Sequence, residues 1–345
     1  FFGRLEMDWM EKFIDKIVQG DSATLLKEIP SNQIDLIISS PPYFRQREYG
    51  NFPSEIGNEE TVDQYIQNVM KTFNECVRII KPTGSVVFNI GDAYDDGNLI
   101  LVPFRFAIEA QKNKEVKLIN AVTWVKKNPT PRQYKKRLVS STEPFFHFVK
   151  SDEYYYDVDC FLEESNKKLN VLRHESNIGR GYFKLVDKSD LTAEQKEEAR
   201  KDLIETIERV KKGEIESFRM KIRGIHAPAF GGQEGGRQIQ LEKQGYTIIE
   251  IHGNAIKRDV IESAVETIKG RIHPAIYPQF IVEQFIKLTT KLNDIVLDPF
   301  AGSGTTCVAS RKLGRRYVGI DINPDYCLYA EKRLKKLPVK MDMFL

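Results

Sequence analysis

Cysteine is scarce in this sequence, and its spacing excludes the usual cysteine chemistry. The 345 residues include four cysteines, and none of them belongs to a Cys-x-x-Cys pair. This excludes the common zinc sites and disulfide frameworks and favours reduced thiols, as in a cytoplasmic protein. The five histidines show no ligand spacing either, so no metal site is expected.

Long hydrophobic runs and an excess of one charge are also lacking. No stretch approaches the roughly 18 apolar residues that a membrane helix needs, and no secretory signal is predicted, so no membrane partner is expected. Against 52 Lys and Arg stand 49 Asp and Glu, which leaves a net charge of only +3. That value argues against a uniformly basic surface, but it does not exclude local basic patches.

What the sequence does contain is an alternation of apolar strands and amphipathic helices. Strands are predicted at 34–39, 84–90, 118–125 and 143–150, with helices at 61–80 and 101–112. The alternation returns near the C-terminus, with helices at 277–288 and from the turn after 297 to about 313, and strands at 294–297 and 317–320. Such a pattern predicts an α/β fold with a mostly parallel sheet.

The middle of the chain interrupts this alternation. Thr192 and Gln195 form a capping-box pattern before a charged helix that is predicted to end at Gly213. Residues 224–245 are rich in Gly and Gln and are predicted to form a loop. We therefore expect three segments: one half of an α/β domain at 7–150, an insert at 151–256, and the second half at 257–345.

A Gly-rich turn lies between a predicted strand and a predicted helix. It begins at Asp298 and includes Gly302 and Gly304. Glycine allows a ligand to approach the backbone closely, and a helix start offers free N–H groups. Asp321 ends the next predicted strand, where an acid suits the hydroxyls of a ribose. Because the third glycine of a dinucleotide fingerprint is missing, an adenosine ligand without a pyrophosphate fits better.

A second unusual turn, Ser40-Pro41-Pro42-Tyr43, follows the first predicted strand. Ligand sites of open α/β sheets lie at the carboxyl ends of strands. The prolines fix the backbone, so that a carbonyl can point at a ligand. A rigid structural turn would explain Pro-Pro alone, but the adjacent hydroxyl and aromatic ring suit a planar ring that carries an amino group.

The two turns together resemble the S-adenosylmethionine-dependent DNA amino-methyltransferases, in the β arrangement in which the Pro-Pro-Tyr motif comes first. Trp124–Asn128 and Glu143-Pro144 are similar to the segment before the target-recognition region of that family. The resemblance implies a Rossmann-like methyltransferase fold, an inserted target-recognition region and S-adenosylmethionine as cofactor. The implied catalytic residues are Ser40, Pro41, Pro42 and Tyr43. The implied cofactor-binding residues are Asp21, Ser39, Pro274, Asp298, Phe300, Gly302, Ser303, Gly304, Thr305 and Asp321.

The first residue of the Pro-Pro-Tyr motif bears on which base is methylated. Family members that act on cytosine N4 usually have Ser at this position, whereas those that act on adenine N6 usually have Asp or Asn. Ser40 therefore favours cytosine N4, with adenine N6 as the alternative. Methylation at carbon C5 is disfavoured, because no cysteine follows a proline to act as the nucleophile. A DNA-binding protein without catalytic activity is the alternative of another class.

Duplex DNA is the partner that the resemblance implies, with a cognate restriction endonuclease and a second copy of the chain as further expectations. The segment 124–137 is basic without acidic residues, which is typical of a phosphate-contacting loop, although a solvated loop explains it equally well. The residues expected to contact DNA in this segment are Lys126, Lys127, Arg132, Lys135, Lys136 and Arg137. In the insert, Arg219, Arg223 and Arg237 are candidates for reading base edges.

Overall fold

The computed structural model describes residues 2–46, 52, 54–129, 135–162, 178–215, 217–226, 237–251, 257–265 and 277–337. Its contacts divide the chain into two compact units, one formed by 1–162 with 257–345 and the other by 163–256. The first boundary lies at 162 rather than at the predicted 150, because 151–162 packs on the first unit. The Asp157 amide donates to the Leu288 carbonyl, and the Leu162 amide donates to the Gln284 side chain.

The described part of the first unit contains ten strands and seven α-helices. The strands are β1 (Lys16–Gln19), β2 (Ile34–Ser39), β3 (Ile80–Asn89), β4 (Tyr94–Asp95), β5 (Asn98–Leu99), β6 (Lys117–Lys126), β7 (Thr142–Val149), β10 (Val260–Ser263), β11 (Ile295–Asp298) and β12 (Arg316–Asp321). The α-helices are α1 (Phe2–Phe13), α2 (Ser22–Leu25), α3 (Val62–Ile79), α4 (Val102–Ala110), α8 (Gln279–Thr289), α9 (Thr305–Lys312) and α10 (Pro324–Lys335).

Eight of these strands form one sheet in the order β1-β12-β11-β2-β3-β7-β6-β10. Within the described residues, β7 alone runs antiparallel to its two neighbours. The other strands of the sheet share one direction. The carboxyl ends of seven strands and the amino end of β7 therefore meet at one edge. The predicted α/β class with a mostly parallel sheet is confirmed.

Apolar side chains cover both faces of this sheet, as parallel strands require. Along β3, Val86 and Phe88 belong to one core cluster with α3 and α4, whereas Val87 belongs to a second cluster with α8. Phe73 of α3 packs edge-on against the ring of Phe88. This two-sided burial fixes the strand positions on which the site depends.

Helix α3 shows how local sequence determines the elements that support the site. Thr61 forms a capping box with Gln64, since each side chain accepts the backbone N–H of the other residue. Tyr65 and Phe73 lie on the buried face of the helix. The helix ends at Ile79, and the extended Ile80 begins β3 at once. The predicted helix bounds of 61–80 agree with this closely, whereas the strand begins four residues before its predicted start at 84.

The second unit has its own small core. It contains α5 (Arg180–Lys188), α6 (Ala193–Lys211), β8 (Ser217–Ile222), α7 (Arg237–Gln244) and β9 (Tyr246–Ile251), with β8 and β9 paired antiparallel. The capping box at Thr192 is present as predicted. The prediction of a loop over 224–245 is wrong for 237–244, which form α7. Leu241 is buried there, so tertiary packing outweighs the polar composition.

Two further features concern elements that sequence reasoning missed or excluded. Strands β1 and β10 are too short, at four residues each, to show a clear alternation, and they were not predicted. In the part of the chain that the structure describes, none of the helices combines the length and the apolar character needed to cross a membrane.

Candidate active site

Both predicted turns lie at the edge of the sheet where the carboxyl ends meet. Ser40 follows β2, and the Gly-rich turn follows β11, which is the neighbour of β2 in the sheet. From this pair of strands the chain leads in opposite directions, from β2 to β3 and from β11 to β12. Ligands of open α/β sheets bind at such a reversal of strand order.

Asp298 connects the two turns. One oxygen of its carboxylate accepts the Ser39 hydroxyl at 2.5 Å and the Phe300 amide at 3.0 Å. The other accepts the hydroxyls of Thr306 at 2.6 Å and Tyr277 at 3.2 Å. Burial raises the pKa of Asp298, although these four donors oppose the shift. Ser39 and Asp298 thus make contacts within the protein, and the cofactor contacts predicted for them stay predictions.

The Pro-Pro turn is held from both sides by hydrogen bonds. The Ser40 hydroxyl donates to the phenolic oxygen of Tyr43 at 3.2 Å. Tyr65 of α3 donates to the Pro42 carbonyl at 2.9 Å. The Pro41 ring is buried, while Ser40 and Tyr43 are partly exposed. The turn is therefore rigid, and it presents a hydroxyl and an aromatic ring together.

Tyr43 also contacts the two neighbouring strands. Its hydroxyl lies 2.8 Å from Oδ1 of Asn89, at the end of β3, and 3.0 Å from Oε2 of Glu143, at the start of β7. Its ring lies against the backbone of Gly91, where an added Cβ would come within 2.3 Å of the ring. The other carboxylate oxygen of Glu143 accepts a hydrogen bond from Lys126. Ser40, Asn89, Gly91 and Glu143 thus all contact this one phenol.

The Gly-rich turn is determined chiefly by backbone conformation. Gly302 and Gly304 both have positive φ values, of 49° and 76°. A Cβ on Gly304 would lie 2.6 Å from Cβ of Ala330, so this position also excludes side chains by contact. Ser303 and Thr305 are buried, and Arg333 of α10 donates to both hydroxyls at 3.1 Å.

Asp321 supports the Gly-rich turn from the end of β12. It accepts the Gly302 amide at 2.7 Å and the Asn323 amide at 2.9 Å, one on each carboxylate oxygen. Burial raises the pKa of Asp321 to about 6 in spite of these hydrogen bonds. Its side chain remains partly exposed. Each oxygen retains a lone pair, so the carboxylate can still accept hydroxyl donors as predicted.

Asp21 lies beside this strand end but has a local role of its own. It is the N-cap of α2, and its carboxylate accepts the Thr24 amide at 3.0 Å and the Thr24 hydroxyl at 2.6 Å. Gly20 donates to the Asp321 carbonyl, which brings Asp21 next to Asp321. The predicted contact of Asp21 with a cofactor therefore involves a carboxylate that already caps a helix. Of the other predicted residues, Phe300 is partly exposed, whereas Pro274 lies outside the described residues.

The basic segment is less uniformly charged in the structure than in the sequence. Lys126 pairs with Glu143, and Lys127 lies 3.8 Å from Glu262. The stretch itself contains no acid, and these two acids come from neighbouring strands. The DNA contacts predicted for Lys126 and Lys127 stay predictions. Lys135 and Lys136 are exposed, and the guanidinium of Arg137 lies 3.6 Å from the ring centroid of Tyr94. Arg132 lies outside the described residues.

The three arginines of the second unit that were predicted to read bases differ in their exposure and contacts. Arg219 is exposed on β8. Arg223 instead holds the unit together, because its guanidinium donates to Asp190, Gln195 and the Glu242 carbonyl. These contacts argue against the predicted role of Arg223 in base reading. Arg237 begins α7, and its side chain lies outside the described residues.

Comparison with known proteins identifies the class to which this protein belongs. The profile of the N6_N4_Mtase DNA methylase family matches residues 34–332, and the chain belongs to this family. The predicted class of enzyme, a DNA methyltransferase, is thereby confirmed. S-adenosylmethionine is the cofactor, as the resemblance implied.

Individual relatives agree with this assignment. The type II methyltransferase M.SfiI of Streptomyces fimbriatus is 27% identical, over 89% of this chain and 88% of its own. M.Cfr9I of Citrobacter freundii is 24% identical, over 92% and 87%. Among solved structures, the cytosine-N4-specific PvuII DNA methyltransferase superposes with a TM-score of 0.56 at 18% identity, covering 95% of this chain and 88% of its own.

A second solved structure has the same fold. The DNA modification methylase TTHA0409 of Thermus thermophilus, complexed with S-adenosyl-L-methionine, gives a TM-score of 0.51 at 19% identity and covers 94% of this chain and 95% of its own. At this level of identity the two structures support the fold only. The predicted Rossmann-like methyltransferase fold is confirmed.

Several side chains of the site were not identified as functional from the sequence. Asn89 ends a predicted strand, so its position at the carboxyl edge could have indicated it. Glu143 was noted only within a family-like segment, because its place beside Tyr43 depends on the antiparallel course of β7. Tyr277 was noted only within a family-like segment, and Arg333 gave no signal of its own. Among the described residues, no three His, Cys, Asp or Glu side chains are arranged to hold a metal ion.

Proposed function

We propose that this methylase transfers a methyl group to the exocyclic N4 of cytosine in specific sites of duplex DNA. The observation that carries this proposal is the Pro-Pro turn, where a serine hydroxyl stands beside Tyr43 at the carboxyl end of β2. Ser40 replaces the Asp or Asn that is usual in the adenine-N6 enzymes of the family. The cytosine-N4 specificity of the PvuII enzyme, stated in its name, supports the same choice.

The chemistry assigned to the Pro-Pro turn follows from the weak nucleophilicity of an aromatic amine. Its lone pair is delocalised into the ring, and hydrogen bonds from the amino group counteract this when they favour a tetrahedral nitrogen. We assign the acceptor roles to the Ser40 hydroxyl and the Pro41 carbonyl, so that the amine attacks the methyl group directly. Ser40 is not a strong base, and the turn therefore acts by positioning and electrostatics.

The cofactor would be held by residues of the Gly-rich turn and the strand ends beside it. The partly exposed Asp321 carboxylate can accept ribose hydroxyls, and the partly exposed Phe300 ring can contact the adenine. Gly304 has no room for a side chain, because an added Cβ would lie against Ala330. Bound S-adenosylmethionine supplies an activated methyl group on a positively charged sulfur. These residues fit such a nucleoside.

The DNA would lie against the exposed lysines that follow β6. Lys135 and Lys136 are suited to phosphate contacts. The target base must leave the duplex to reach Ser40, and the partly exposed Tyr43 ring can stack on it. We further propose a type II restriction-modification system in the cytoplasm, with a cognate endonuclease that recognises the same site, and a homodimer as the working form.

The decisive experiment is mass spectrometry of nucleosides from DNA that has been incubated with the protein and labelled S-adenosylmethionine. N4-methylcytosine is the expected product. N6-methyladenine would assign the protein to the second candidate function, which the family also includes. Absence of both products, with DNA binding retained, would favour the alternative of a non-catalytic DNA-binding protein.

A further inference from the structure

The hydrogen bonds around Tyr43 run in a single direction, away from the position assigned to the substrate. Oε2 of Glu143 lies 3.0 Å from the Tyr43 hydroxyl. Since an ionised carboxylate can only accept, Tyr43 must donate to it. Ser40 lies 3.2 Å from the same phenolic oxygen and therefore donates to Tyr43. The lone pairs of the Ser40 oxygen remain available for a donor from the substrate.

Among the described residues, two acceptors lie in reach of the single hydroxyl proton of Tyr43. Besides Glu143, Oδ1 of Asn89 lies 2.8 Å from the phenolic oxygen. The orientation of this amide is determined by its nitrogen, which donates to the Pro144 carbonyl at 3.0 Å. The amide oxygen and the carboxylate therefore compete for one proton. Glu143 therefore keeps a lone pair that faces Tyr43 and can accept its proton.

Lys126 makes Glu143 a charged acceptor in spite of its partial burial. The Lys126 ammonium and the Glu143 carboxylate form an ion pair, with side chains only 19% and 14% exposed. The ammonium also lies 5.0 Å from the ring centroid of Trp124. Without its partner, a carboxylate with so little exposure would carry a large desolvation cost. The ion pair thus stabilises the Glu143 carboxylate as an acceptor, at the end of the series of hydrogen bonds that begins at Ser40.

We propose that Glu143 receives, through Tyr43 and Ser40, the proton that the amino group loses on methylation. This inference rests on the proposed function, in which the amino group donates to Ser40. As the nitrogen gains its methyl group, its surplus proton passes to the Ser40 oxygen, the Ser40 proton to Tyr43, and the Tyr43 proton to Glu143. Ser40 and Tyr43 each gain one proton and lose one. The base is left neutral, and Glu143 holds the proton until solvent removes it.

The substitution Glu143→Gln tests this assignment, because glutamine keeps the size and an acceptor oxygen but cannot take the proton. We expect the single-turnover methylation rate to fall about 100-fold, in the range of general acid–base effects. Cofactor binding by calorimetry and base extrusion by 2-aminopurine fluorescence should not change.

A second variant tests Tyr43, the middle residue of this hydrogen-bond chain. It also keeps the proposal testable if Glu143→Gln does not fold. Tyr43→Phe keeps the stacking ring but interrupts the transfer, so its rate should also fall. Combining it with Glu143→Gln should cause no further fall, because both remove the same pathway. The matched control is Asp152→Asn, which breaks an exposed ion pair with Lys117 at the opposite end of β6 and β7. Its rate should equal that of the wild type.

The proposal is overturned if Glu143→Gln stays within threefold of the wild-type rate. It is equally overturned if Tyr43→Phe retains the full rate, or if the two substitutions reduce the rate independently. These results are distinct from a failure of the proposed function. In that case the wild-type protein itself would give no methylated cytosine under the same conditions.

Discussion

The two turns of the site, Ser40–Tyr43 and Asp298–Thr305, are held in place by different physical means. The Gly-rich turn depends on backbone: two glycines with positive φ, and an amide donated to Asp321. The Pro-Pro turn depends on side chains, since Tyr43 reaches Asn89 and Glu143 on neighbouring strands. A backbone-determined turn should lose its fold when a side chain is added. A side-chain-determined turn should instead lose its activity.

The largest effect is expected for Gly304→Ala. Alanine disfavours a φ of 76°, and its Cβ would lie 2.6 Å from Cβ of the buried Ala330. We expect the free energy of unfolding to fall by about 2–4 kcal/mol, with loss of cofactor binding. Denaturant titration and calorimetry measure the two quantities.

Gly97 provides the matched control for this substitution. Its φ is 77°, but nothing lies within 4 Å of an added Cβ. Gly97→Ala should therefore cost only the backbone strain, about 1–2 kcal/mol. If both substitutions cost the same, the contact with Ala330 contributes nothing, and the Gly-rich turn is determined by φ alone.

Gly91→Ala applies the same change to the Pro-Pro turn. Its Cβ would lie 2.3 Å from the Tyr43 ring, but a partly exposed side chain can move where a helix backbone cannot. We expect a loss of stability below about 2 kcal/mol together with a fall in turnover of about 100-fold, because misplacement of a reacting group by about 1 Å has effects of this size. A stability loss as large as that of Gly304→Ala would remove the contrast between the two turns.

The pH dependence of cofactor binding tests the role of Asp321, which supports the Gly-rich turn. Its pKa of about 6 is raised by burial, so the folded free protein retains the proton up to about pH 6. The protonated form is favoured by folding, and this contribution to stability is lost as pH rises through 6. Binding of ribose hydroxyls needs the carboxylate, so affinity should weaken up to tenfold per pH unit below about 6.

Isothermal titration of S-adenosylmethionine between pH 5 and pH 8 measures this dependence. Asp321→Asn is the control, because an amide does not titrate and its weaker binding should be independent of pH over the same range. A wild-type affinity that stays constant down to pH 5 would contradict the assignment of Asp321 to the ribose.

The smallest effect is expected for Tyr65→Phe in the Pro-Pro turn. The substitution removes a hydrogen bond of 2.9 Å to the Pro42 carbonyl and leaves the ring in the core. Stability should fall by about 1 kcal/mol, with at most a modest change in turnover. Thermal unfolding and steady-state kinetics measure these effects. A complete loss of activity would mean that Tyr65, rather than the network around Tyr43, determines the shape of the turn.

Local sequence was sufficient for most elements of the first unit and for helix α6 of the second. The apolar runs predicted β2 at its observed bounds, and the capping residues predicted α6 closely, because burial and capping act over a few residues. Several elements were not predicted, among them helices α1, α7 and α10 and strands β1 and β10. Helix α7 and the two strands are short, and their stability comes from packing rather than from propensity.

The sequence by itself determined the two turns, their order and the class of enzyme, because fixed backbones and small residues leave a local pattern. Only the tertiary structure decided what holds the turns. The antiparallel course of β7 brings Glu143 to Tyr43 across 100 residues of chain, and β11 brings Asp298 to Ser39 across 259. It also paired Lys126 and Lys127 with acids from other strands. Pairing of strands distant in sequence creates these contacts, and no local pattern encodes them.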